Sequence, residues 1–130
     1  MPVATLSFTA TGPRDPADAW ERYADPARWP EWSPQIRYAE TAATRLAAGV
    51  TGRVHVWGAP PPSFRVTAFD DAARTWGWDV ALGPLRLHLD HDVEARPAGG
   101  SRTRLRLVGP LPLVLAYAPA ARLALGRLVR

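Results

Sequence analysis

With 130 residues and no Cys, the chain is long enough for one hydrophobic core and too short for two, and it offers neither disulfides nor thiolate chemistry. An apolar fraction of 47% excludes a disordered chain. All 16 basic residues are Arg, which removes lysine Schiff-base chemistry, while the net charge of +4 makes the placement of those arginines decisive for any nucleic-acid reading.

No internal repeat is visible, and a single domain over residues 1–130 is expected. The opening, MPVATLSFTA, has no basic segment followed by an apolar run. No signal peptide is read from it, and a cytoplasmic protein is expected. From Val3 to Thr11 apolar and polar residues alternate: Ala4, Leu6, Phe8 and Ala10 on one side, Thr5, Ser7, Thr9 and Thr11 on the other. That is the period of a half-buried strand.

Asp15-Pro16 and Asp25-Pro26 follow, two helix starts ten residues apart, each with a capping carboxylate before a proline suited to the first helical position. The first predicts a helix over Pro16–Ala24 with Trp20 and Tyr23 on one face. The second allows little more than a turn, because Pro30 and Pro34 force the residues before them into extended conformations. Trp20, Trp29 and Trp32 crowd this stretch, and three indoles require a large apolar partner.

After a strand at about Gln35–Glu40 and a connection ending at Gly49, the pattern becomes a run of hairpins. Their expected register pairs Val54 with Val66, Val56 with Phe64, Val66 with Trp76, Phe64 with Trp78, Trp78 with Leu87, Trp76 with Leu89, Val93 with Leu105 and His91 with Leu107. One parity persists through four turns, so an antiparallel meander with a single apolar face is predicted. The other face of the last hairpin alternates charges, and the same register sets Glu94 against Arg104 and Asp92 against Arg106. Arginines paired in this way form a poor phosphate-binding patch, so no nucleic-acid partner is expected.

From Leu111 the spacing turns helical, with Leu113, Val114, Tyr117, Ala121, Ala124, Leu125 and Leu128 on one side and Arg122, Arg127 and Arg130 on the other. Two arginines, two prolines and a length just short of the ~20 residues a span requires argue against a membrane helix. An amphipathic helix laid on the sheet, bent near Pro119, is predicted instead.

The order of elements, with Asp15-Pro16, Trp20, Asp25-Pro26, the Trp29-Pro30-Glu31-Trp32 run, and His91-x-Val93-Glu94 leading to Gly99-Gly100-Ser101-x-Thr103, resembles the polyketide cyclase/dehydrase and lipid-transport group of the START-like, birch-pollen-allergen superfamily (SRPBCC). The resemblance implies an α+β helix-grip fold: a seven-stranded curved antiparallel sheet wrapped around a C-terminal helix, with two short helices after the first strand closing one end of an internal cavity. In the aromatic cyclases of this group an arginine on the central sheet and a tyrosine shortly after the Trp-Pro-Glu run take part in the site. Here that tyrosine position holds Ile36, with Tyr38 two residues on, and the nearest arginine, Arg65, points away from the cavity in the predicted register.

Two readings of function follow. The first is a polyketide cyclase/dehydratase-like enzyme promoting cyclisation or dehydration of a natural-product intermediate, with His91, Tyr38 and Tyr117 moving protons. The second is a non-catalytic carrier or sensor of a lipid or other hydrophobic metabolite. Either predicts a pocket for a flat apolar ligand lined by Trp29, Trp32, Val54, Val56, Phe64, Val66, Trp76, Trp78, Leu87 and Leu89, whose competing role is plain core. No cofactor or metal is implied: His88 and His91, three apart on a strand, project to opposite faces. A homodimer is an open possibility, and an exposed Trp29, Trp32 or Trp57 would instead indicate a protein-binding patch.

Overall fold

A computed structural model describes residues 2–130. Its elements are β1 (Val3–Gly12), α1 (Pro16–Ala24), a 3-10 turn (Pro26–Arg28), α2 (Trp29–Trp32), β2 (Ile36–Glu40), β3 (Thr51–Val56), β4 (Ser63–Asp70), β5 (Thr75–Leu82), β6 (Leu85–Ala95), β7 (Ser101–Pro110) and α3 (Leu111–Leu128). The strands form one antiparallel sheet in the order β1-β7-β6-β5-β4-β3-β2, and α3 packs across β1 and β7 with α2 against it. This is the helix-grip architecture.

Both Asp-Pro starts cap as their chemistry requires: Asp15 Oδ1 accepts from the Ala17 N–H at 2.8 Å, and Asp25 Oδ1 from that of Ala27 at 3.0 Å. The indoles of α2 then finish α1. Trp29 Nε1 donates to the Tyr23 carbonyl and Trp32 Nε1 to that of Arg22, both at 2.9 Å, satisfying two carbonyls the helix end leaves free. Trp20 Nε1 reaches Asp71 at 2.8 Å, tying α1 to the β4–β5 turn.

The apolar face is as predicted, but each hairpin pairs in a different register. Trp78 lies opposite Leu89 and Trp76 opposite His91, because Gly83 and Pro84 form a two-residue turn closing on Leu82 and Leu85. Gly83 has φ +59°, which the twist-matched hairpin turns require at their first central position. Val93 meets Thr103, and His91 meets Leu105, since the loop occupies residues 96–100 rather than 97–101. Val66 faces Trp78 and Phe64 faces Val80. The β3–β4 ladder ends at Arg53 and Ser63, where prolines have no N–H to give, and Val54 N–H bonds the Pro62 carbonyl.

These offsets are even, so inward residues stay inward. Two bulges break the rule. One between Val66 and Ala68 lets Phe69 rather than Ala68 oppose Trp76, and one between Ile36 and Tyr38 turns Tyr38 outward.

On the outer face Arg104 reaches Asp92 at 3.1 Å and Glu94 at 2.8 Å, Arg102 pairs with Glu94, and Arg106 stands 3.9 Å from Asp90. The backbone register sits one pair along from the expected one, so Arg106 faces Asp90 rather than Asp92, while the expected Glu94–Arg104 contact forms diagonally across the ladder.

Helix α3 departs from its predicted amphipathicity. Val114, Ala121, Ala124, Leu125 and Leu128 are buried, but Leu111, Leu115 and Leu123 lie on the exposed side, and Arg127 is half-buried. Its length and mean hydropathy of 1.2 would suit a membrane span, yet it serves here as the core helix against the sheet. Its C-terminus is held by Arg22 of α1, whose buried guanidinium donates to the Arg127 and Leu128 carbonyls, each at 2.8 Å. The backbone of Gly12 passes so close that a Cβ there would lie 2.1 Å from the Val129 carbonyl oxygen.

Candidate functional site

Between the sheet and α3, at the end away from α1, lies an apolar pocket of about 70 Å³. Val54, Val56, Trp78, Leu87 and Leu89 line it as predicted, joined by Ile36, Val80, Pro62, Gln35 and Tyr117. The alternation that selected Trp76 and Trp78 continues to Val80, and the strand after Pro34 begins on the same face at Ile36. Both were therefore findable. Deeper in, sharing Ile36, Trp78, Leu89 and Tyr117 with the pocket, is a void of about 20 Å³ bounded by His91, Trp32, Ser33, Leu105 and the small side chains Ala121 and Ala124.

The rest of the expected lining is packed solid. Trp29 inserts from α2 among Phe64, Trp76 and Trp78, with ring centroids 5.6, 6.3 and 5.1 Å away. Trp29, Phe64, Val66 and Trp76 are buried core residues outside both spaces. Five indoles, those of Trp20, Trp29, Trp32, Trp76 and Trp78, fill most of the hollow that the curved sheet would otherwise enclose. The Nε1 atoms of Trp76 and Trp78 are buried without a hydrogen-bond partner in the protein.

His91 faces inward, buried and stacked on Trp76 at 4.1 Å with the rings 7° from parallel. Its Nδ1 lies 3.3 Å from the Trp76 carbonyl, a contact that makes Nδ1 the protonated nitrogen. Burial drives its pKa from 6.5 down to about 3, against the pull of that carbonyl. At neutral pH it is a neutral imidazole and a weak base. Tyr117 sits on the wall shared by the pocket and the void; burial raises its pKa, with the Gln35 amide opposing.

Tyr38 has to be removed from the candidate site. The bulge beside Arg37 leaves it 48% exposed on the outer face, stacked on His55 with centroids 4.2 Å apart. Trp29 and Trp32 are buried, so of the three indoles named for a protein-binding patch only Trp57 is exposed, at 68%, under the Arg37 guanidinium at 4.6 Å. His88 faces outward between Asp79 at 2.7 Å and Asp90 at 3.0 Å, on the side opposite His91. A larger concavity of about 430 Å³ on that outer face is open to solvent, and its arginines, Arg104 and Arg106, already face carboxylates.

The sequence matches the family described as polyketide cyclase / dehydrase and lipid transport over residues 3–130. The chain belongs to that family. Among solved structures it is similar to Ara h 8.0201, with a TM-score of 0.78 over 98% of this chain and 95% of that one, at 17% identity. At that identity the likeness establishes the START-like, birch-pollen-allergen fold alone. No curated protein matches the sequence.

Proposed function

We propose that this family member is a carrier or sensor that holds the apolar end of a linear hydrophobic molecule between the sheet and α3. The observation that supports this is the lining of the 70 Å³ pocket: aliphatic side chains and the face of Trp78, with Gln35 and Tyr117 the polar residues at its wall. Proton transfer in a cyclisation calls for a group that takes a proton near neutral pH, and His91, outside the pocket, is held neutral by burial and stacked against Trp76.

Size narrows the ligand further. An engineered apolar cavity of roughly 150 Å³ takes benzene, and drug-sized ligands occupy pockets of roughly 300 Å³ or more. Flat polycyclic intermediates therefore do not fit, whereas the end of an extended chain enters with its remainder lying across Pro62 and Val80. Ile36, Trp78, Leu89 and Tyr117 line both the pocket and the deeper void, so a longer chain end would extend past these side chains toward His91.

Native mass spectrometry of the purified protein, looking for a co-purified molecule, is the first test. The second is a thermal-shift series with fatty alcohols of increasing length beside flat aromatics. Chain-length-dependent stabilisation by the alcohols, abolished in Val80→Phe, is expected. Stabilisation by the aromatics alone, or by neither series, removes the proposal.

A further inference from the structure

The sheet has two free edges, and they are built differently. At one edge, β2 has five residues, carries Arg37 and Glu40, and is broken by a bulge. Those are the devices that stop a strand from recruiting another. At the other edge, β1 has ten residues, no charge and no proline, and pairs with β7 along its whole length without a break. Val3 at its start is 73% exposed. A long, regular, uncharged edge is a template for an added strand.

What the added strand is can be read from β1 itself. About Ser7 its residues form a near-palindrome: Leu6 and Phe8 flank the centre, then Thr5 and Thr9, then Ala4 and Ala10. Antiparallel pairing of two copies about a two-fold axis at Ser7 sets Thr against Thr, Ala against Ala and Leu against Phe, each on its proper face. A groove of about 330 Å³ runs beside the midpoint, lined by Ser7, Phe8, Thr9, Arg122 and Leu125, where a partner's Leu6 and Phe8 would enter. From these observations we propose that the protein is a homodimer joined through β1, with the two sheets continuous across the axis.

The ladder alone is not enough. Ten residues of strand edge, ~34 Å long and ~10 Å deep, bury on the order of 700 Å² over both copies, short of the roughly 1,200 Å² of a stable interface. Helix α3 supplies the remainder. It is pinned along β1 at three points: Leu111 N–H to the Pro2 carbonyl, Arg122 over the Phe8 ring at 5.2 Å, and Val129 carbonyl to the Arg14 N–H. Leu115, 56% exposed, lies between the first two on the same helical stripe and so borders the free edge. Across the axis the two α3 helices come about 10 Å apart, the distance at which helices pack. Because α3 runs parallel to β1, the axis makes the two helices antiparallel, and Leu111 and Leu115 of each lie against the C-terminal half of the other, Leu115 close to the partner's Arg122.

Sedimentation velocity and light scattering over a concentration series test this, with the fold of each variant checked by circular dichroism. The wild type is expected at twice 14.2 kDa. Ser7→Lys sets two like charges on the axis and is expected to give the monomer; Leu115→Arg, which leaves the strand untouched and sets a second cation against the partner's Arg122, is expected to do the same. Thr51→Lys, exposed on β3, should remain dimeric. A wild type that stays monomeric to high micromolar concentration, or a dimer that survives both Ser7→Lys and Leu115→Arg, overturns the proposal. Neither outcome depends on ligand binding.

Discussion

Replacing His91 by Phe tests the interior directly, because it retains a flat ring against Trp76 while removing the titratable group. Folded His91 takes up a proton only near pH 3, whereas unfolded it does so from 6.5 downward. Between those values the unfolded state binds more protons, so the stability that neutral His91 contributes is complete above pH 6.5 and is lost as the pH falls toward 3. The slope approaches about 1.4 kcal/mol per pH unit, or about 2 to 3 kcal/mol between pH 6.5 and about pH 4.5, before most carboxylates titrate. His88 does not obscure the effect. Its burial opposes the charge, but the hydrogen bond to Asp79 and the field of Asp90 outweigh it and raise its pKa. Its contribution is therefore complete below pH 6.5 and fades only as the pH rises through that elevated pKa. Guanidinium unfolding followed by tryptophan fluorescence at several pH values measures both proteins. The wild type should lose about 2 kcal/mol more than His91→Phe over that window. Parallel pH profiles would refute the view that burial holds this imidazole neutral.

Three further outcomes are expected. Arg22→Met leaves the Arg127 and Leu128 carbonyls without their donors and should cost about 2 to 4 kcal/mol in chemical denaturation, with α3 amides near its C-terminus losing exchange protection first. Tyr23→Phe removes one buried hydrogen bond, the 2.8 Å contact with Thr103, and should cost only about 1 to 2 kcal/mol by the same measurement. Gly12→Val drives a side chain into the Val129 carbonyl and should lower the melting temperature more than Thr11→Val, an exposed neighbour; equal shifts would show that the close approach is unimportant.

Much of the fold was legible because alternation and capping are local signals. Asp15 and Asp25 marked the helix starts to the residue, and the parity of Trp76, Trp78, Leu87, Leu89 and His91 identified the inward face. Register was not legible, since it depends on where each turn closes, and Gly83-Pro84 admits a tighter hairpin than the expected pairing allowed. The bulge that expelled Tyr38 leaves no trace in composition. Nor does the sequence show that Trp29 would occupy the space a ligand was expected to take, because the volume of a hollow depends on the curvature of all seven strands. Arg22 was missed for a related reason: its hydrogen-bond partners are carbonyls more than a hundred residues away, and its ion pair with Glu31, at 3.5 Å, does not announce them.

The way the two ends of the fold interlock has a kinetic consequence. The contact from Arg22 to Leu128 closes a loop of 106 residues, and β1 pairs with nothing except β7. The first strand and first helix therefore remain without their native partners while the intervening hairpins assemble, and long-range closure of this kind slows folding. A nascent chain is left holding this uncharged strand unpaired until β7 has emerged, and it is during that interval, rather than after folding, that self-association through it would be hardest to control.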